Sequence, residues 1–168
     1  MRKLLLGAVL CACLSSPAHA QQAAPLPIRV GAVMPQSGHL ADIAADLRKA
    51  LLLWQEEVNA GGGLLGRRVE LQLLDDRSES GAAGKLYEQL IREHKADLLV
   101  GPLGSAASVV AAAAAERNRR VMVNATGSAR TVHRAGYRYV FQTAAPSDAA
   151  EPSGPMRSSA LCSKINCS

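Results

Sequence analysis

Between residues 21 and 150 the sequence has no cysteine: Cys11 and Cys13 precede that stretch, and Cys162 and Cys167 follow it. A disulfide framework is therefore excluded from the part of the chain able to form a domain. Aromatic residues make up only 3% of the chain, and its formal charge of +5 is scattered, with Arg117, Arg119 and Arg120 the one dense basic cluster. A nucleic-acid surface needs a basic stripe interleaved with stacking rings, so no nucleic-acid partner is expected. The four histidines, His19, His39, His94 and His133, stand apart, without HExxH, HxH or a cysteine pair. No metal site is expected. G-x-S-x-G is missing, because "GPLGSAAS" has no glycine two residues beyond Ser105. The P-loop lysine and the G-x-G-x-x-G fingerprint are missing as well. Neither an enzyme nor a nucleotide cofactor is expected.

What is present begins with "MRKLLLGAVLCACLSSPAHA", in which Arg2 and Lys3 precede an apolar run from Leu4 to Leu14 and a small-residue ending at Ala20. This predicts a secretory signal peptide over residues 1–20, cleaved before Gln21, and hence a periplasmic protein. Residues 21–27 read as a linker. At the other end, "EPSGPMRSSALCSKINCS" has two prolines and no apolar period. Residues 150–168 are expected to be a disordered or aberrant tail, the end of a truncated product.

Between these ends the hydrophobic period alternates. "IRVGAVM" is a β-branched, mostly apolar run stopped by Pro35, Ser37 and Gly38, which predicts a strand buried on both faces and then a loop. Ile43, Leu47, Leu51, Trp54 and Val58 recur at steps of four and three, the face of a helix that "NAGGG" ends. "RRVELQLLDD" predicts a second strand, and the next helix is expected to start on Ser78 or Ser80 as N-cap, with Leu86, Leu90 and Ile91 on its inner face. "ADLLVGP", "RRVMVNA" and "YRYVFQT" supply three more strands; the first two of these are separated by the helical "SAASVVAAAAAERN" and the last two by the short "GSARTVHRAG". Strand and helix in alternation predict an α/β fold: a doubly wound, mostly parallel open sheet with right-handed crossovers.

In such a sheet, ligands sit outside the carboxyl ends of the strands. Three groups of polar residues fall there. Asp75 and Asp76 end the second strand, where they either hold a cation or an amine or solvate the strand end and cap the next loop. Ser105 opens the third helix, either as a simple cap or as a hydroxyl beside free backbone N–H groups that favour a carboxylate. Asn124, Thr126 and Ser128 follow the fourth strand, and two neighbouring polar loops make a better pocket than one. The sequon Asn124-Ala125-Thr126 reads as coincidence rather than as a glycan site.

The order of "IRVGAVMPQSG", "EEVNAGGGLLGRRVELQLLDDRSES", "ADLLVGPLGSAAS", "VMVNATGSA" and "GYRYVFQTAAPSDA" resembles the N-terminal lobe of type I periplasmic binding proteins of the leucine/isoleucine/valine-binding kind. These are the extracytoplasmic receptors of branched-chain amino-acid ABC transporters. The resemblance spans residues 28–149 and implies one incomplete ligand-binding lobe. It also implies that a small amino acid or related carboxylate is held by Ser105, by the Ser128 hydroxyl and by backbone groups of Thr126. Ser37 matches the ligand-facing first loop, and Asp148 an S-D pair near the crossover between lobes. Where the family reads S-P-x-A-T, this chain has Asn124-Ala125-Thr126-Gly127-Ser128, without the proline. The implied partners are the small-molecule ligand and an ABC permease in the inner membrane. Two other functions fit the same fold: a ligand-sensing receptor domain, and a truncated product with no independent activity.

Overall fold

The computed structural model describes residues 25–146; the predicted signal peptide, the tail and Asp148 lie outside them. The element order is β1 (Ile28–Met34), α1 (Ala41–Ala60), β2 (Val69–Asp75), α2 (Ala83–Arg92), β3 (Leu98–Val100), α3 (Ser105–Arg117), β4 (Val121–Asn124), α4 (Arg130–Arg134) and β5 (Val140–Gln142), with a 3-10 turn at Ser80–Ala82 ahead of α2. The five strands form one sheet in the order β2-β1-β3-β4-β5, and every pairing is parallel. This is the predicted doubly wound sheet. Its winding reverses between β1 and β3, where a ligand crevice is expected.

Side chains alternate across this sheet and build two separate cores. Val33, Leu99 and Met122 pack with Tyr87, Leu90 and Ile91 of α2, five alanines of α3 and Val132 of α4. Ile28, Val30 and Val69 pack on the opposite face with Trp54 and Val58 of α1 and with Leu64, Leu71, Leu98 and Val100. The alanines make the larger core possible. Ala107, Ala111, Ala112, Ala114 and Ala115 are all buried, and a Cβ added at Gly84 would lie 3.5 Å from Val110, so α2 and α3 approach closely.

Helix α1 ends as its glycines require: Gly62 and Gly63 take φ of 96° and 83°, and a Cβ at Gly63 would come within 2.0 Å of the Arg67 carbonyl. The same helix protects the free edge of the sheet. Asn59 accepts from the Val69 N–H at 2.7 Å and donates to the Val69 carbonyl at 2.9 Å, while Gln55 accepts from the Leu71 N–H at 2.6 Å.

Two local expectations need correction. Ile43 is 65% exposed, and Ala44 is the buried residue of that turn. The inner stripe therefore runs through Ala44, one position later than the bulkier side chain suggests. Neither Ser78 nor Ser80 caps a helix by its side chain: Ser80 opens the 3-10 turn, and Ser78, at φ 65°, reaches another loop.

Candidate functional site

The carboxyl edge is held together by hydrogen bonds between loops. At the end of β2, Asp75 Oδ1 accepts from the backbone N–H groups of Gln36 at 2.8 Å, Ser37 at 3.3 Å and Arg77 at 2.8 Å, and Oδ2 accepts from the Ser37 hydroxyl at 2.6 Å. The bond from Ser37, reinforced by the backbone donors, lowers the Asp75 pKa from 3.8 to about 2. Ser78 completes this latch: its hydroxyl donates to the Ser37 carbonyl at 2.9 Å and accepts from the Leu40 N–H at 3.0 Å. Gly38, at φ 83°, leaves room for it, since a Cβ there would meet the Ser78 hydroxyl at 2.6 Å. Asp76 is buried and accepts from the Ser78 N–H at 3.0 Å; burial raises its pKa. The two carboxylates thus fasten loops, and among the described residues no cluster of three or more His, Cys, Asp or Glu could hold a metal.

Where β1 and β3 diverge beyond the Ala32 and Val100 pair, the Tyr87 hydroxyl fills the gap. It accepts from the Val33 N–H at 3.3 Å and donates to the Val100 carbonyl, and its burial pushes its pKa up. Sequence reasoning placed Leu86 on the inner face and missed this tyrosine. An apolar period counts Tyr ambiguously, and both partners lie on other elements.

The second latch joins the β3 and β4 loops, and here Ser105 and Thr126 come together. Gly104, at φ 83° and ψ 163°, is the N-cap residue of α3, and no side chain caps that helix. Simple capping by Ser105 is therefore excluded. The Ser105 oxygen instead accepts from the Ala129 N–H at 3.1 Å. Thr126 faces the other way: its hydroxyl donates to the Pro102 carbonyl and accepts from the Gly104 N–H at 3.3 Å. Ser128 is half-buried between these anchors, and its hydroxyl has no hydrogen-bond partner among the described residues. Ser37 stands on the first loop, exposed, with its proton given to Asp75.

Asn124 is the last residue of β4 and fully buried, so it belongs to the structure beneath the loop rather than to the surface beyond the strand. A glycan on it has no room. Arrangement and chemistry agree at α3: the N–H groups of Ser105, Ala106 and Ala107 precede the first intrahelical bond, from Ser108 N–H to the Gly104 carbonyl at 3.1 Å. With the helix dipole behind them, N–H groups so placed make a corner that favours an anion.

Known proteins share this architecture. A family model described as "Periplasmic binding protein" matches residues 27–157. The Leu/Ile/Val-binding protein homolog 8 of Brucella suis biovar 1 is 31% identical over 143 residues, which are 85% of this chain and 35% of the relative. The branched-chain amino acid transporter substrate binding protein LivJ from Streptococcus pneumoniae, solved with isoleucine, superposes with a TM-score of 0.67 at 27% identity, over 71% of this chain and 34% of that one. A solute binding protein of an ABC transporter from R. palustris, solved with benzoate, gives a TM-score of 0.62 at 27% identity, over 69% of this chain and 32% of that one. The chain spans about a third of the length of each of these relatives.

Proposed function

This chain belongs to the periplasmic binding protein family, and from that premise we propose that it forms one lobe of an extracytoplasmic solute-binding protein of an ABC importer. It holds a small amino acid or related carboxylate at the N-terminus of α3 and presents it to a permease in the inner membrane. The observation that carries this reading is the state of the Ser105 hydroxyl. Its oxygen accepts from the Ala129 N–H, and its proton has no acceptor among the described residues, which makes it available to a ligand. A carboxylate placed there accepts that proton and the free N–H groups of the first turn, and Ser128 offers a second hydroxyl.

Isoleucine and benzoate, the ligands of the two solved relatives, have a carboxylate in common and little else. That supports recognition through the carboxylate, with side-chain selection made elsewhere. Thr126 contributes by fixing the loop and by its backbone, and Ser37 is assigned to the rim. No catalytic step is assigned, because the Ser105 hydroxyl is bonded to a backbone amide and not to a base.

One lobe alone opposes the cost of association with only a few charge-assisted bonds, so its dissociation constant should be on the order of a millimolar. Saturation-transfer NMR with benzoate, L-isoleucine and L-isoleucinamide tests the reading. The two carboxylates should bind and the amide should not; an amide that binds equally well overturns recognition through the carboxylate.

A further inference from the structure

Beneath the anion corner lies a polar network that the proposed ligand contacts do not use. Asn124 and Ser108 are both fully buried. The Ser108 hydroxyl shares its proton between the Gly104 carbonyl at 2.7 Å and Asn124 Oδ1 at 3.1 Å. Asn124 Oδ1 also accepts from the Gly127 N–H at 3.4 Å, while Nδ2 donates to the Gly127 carbonyl at 3.3 Å and to Gln142 Oε1 at 2.9 Å. One carboxamide thus holds both sides of the Gly127 residue and links it to the start of α3 and to β5.

The surroundings are shaped to this side chain. A Cβ at Gly101 would fall 2.4 Å from Asn124 Oδ1, and one at Gly127 would fall 2.2 Å from the Ser108 hydroxyl. Thr143 ties β5 to the same residue, its N–H donating to the Asn124 carbonyl at 3.0 Å. The consequence is geometric. Gly127 is followed directly by Ser128, whose hydroxyl has no partner among the described residues, and by Ala129, whose amide donates to the Ser105 oxygen.

We propose that Asn124 is the positioning residue of the site, with Ser108 and Gln142 as its supports: by clamping Gly127 it sets Ser128 and Ala129, and through Ala129 the direction of the Ser105 proton. The inference rests on the carboxylate reading above. A carboxamide is required because the clamp needs two donors and an acceptor on one short planar group, buried where an unpaired polar atom is costly. A hydroxyl supplies one donor and cannot reach both Gly127 groups.

The test is amide hydrogen exchange and benzoate binding on the full chain, wild type against Asn124→Ala and Gln142→Met. Asn124→Ala should speed exchange at Gly127 and Ala129 by about tenfold and weaken benzoate binding by about tenfold. Exchange at Val30 and Leu99 should stay as in wild type. Gln142→Met, which removes one bond of the clamp, should move the same two amides less, by about threefold, and it decides the matter if Asn124→Ala fails to fold. A merely structural role for Asn124 would lower the melting temperature while leaving the affinity of the folded molecules unchanged, and that result overturns the proposal. So do wild-type exchange rates at Gly127 and Ala129 in both variants. If the wild type ignores benzoate and L-isoleucine, the carboxylate reading fails by itself, and the exchange rates still decide the clamp.

Discussion

Met122 and Val123 are consecutive in β4, yet they face two differently built halves of the molecule. Met122 is fully buried under α2 and α3, whereas Val123 is 41% exposed on the other face, beside Phe141 at 54%. Helix α1 covers that second face over β1 and β2 and leaves the side of Leu98, Val100, Val121 and Val123 as an apolar groove. Among the described residues, one face is sealed by the buried alanines of α3 and the side chains of α2, while the other is covered only where α1 crosses it. Stability should therefore be concentrated on one face, and tolerance to change on the other.

The sharpest way to break this comparison is to put the same charge on each neighbour. Met122→Asp buries an unpaired carboxylate and should cost more than about 4 kcal/mol, enough to abolish cooperative unfolding in urea. Val123→Asp should cost about 1 kcal/mol or less; similar midpoints for the two variants would show that the faces do not differ. Next in size is Gly127→Ala, whose Cβ would sit 2.2 Å from the Ser108 hydroxyl. It should destabilise by about 2 kcal/mol in thermal melts, because the neighbour is itself packed on the sealed face.

Ser105→Ala removes the acceptor of the Ala129 N–H on a half-buried edge and should cost about 1 kcal/mol, with loss of carboxylate binding. Asp75 gives a pH readout of the opposite latch. Its folded-state pKa of about 2 lies below the ordinary 3.8, so its contribution is complete above about pH 4 and is lost as the pH falls through about 2. Asp75→Asn should flatten the acid limb of the melting curve between those values, by a modest amount because the carboxylate is part-exposed. The smallest effect belongs to Phe141→Lys on the open face. The melting temperature should hardly move, while light scattering at high concentration falls.

Much of this fold is legible in the sequence because it depends on local period. Strand β1, paired on both sides in the sheet, has the continuous apolar run of a strand buried on both faces, and it is so buried. The alternation of strands and helices gives the parallel doubly wound sheet, and "NAGGG" marks the end of α1. The misreadings of polar side chains share a cause: the partner lies far along the chain. Ser78 looks like a helix cap because its partners, Ser37 and Leu40, are 41 and 38 positions away. Tyr87 looks like one apolar residue among several until β1 and β3 are seen to part around its hydroxyl. Asn124 is read as a surface polar residue because nothing local announces Ser108 and Gln142 as its partners. The positions of Ser105, Thr126 and Ser128 at the carboxyl edge follow from topology, but only the structure shows which of their hydroxyls are used within the protein.

The central claim is tested most directly by an amide shift map of the isotope-labelled chain during a titration with L-isoleucine. Shifts should concentrate at Gly104 to Ala107 and Thr126 to Ala129 and should disappear in Ser105→Ala. Shifts centred instead on the groove of Val30, Trp54, Leu98 and Val121, or a Ser105→Ala map unchanged from wild type, would contradict it.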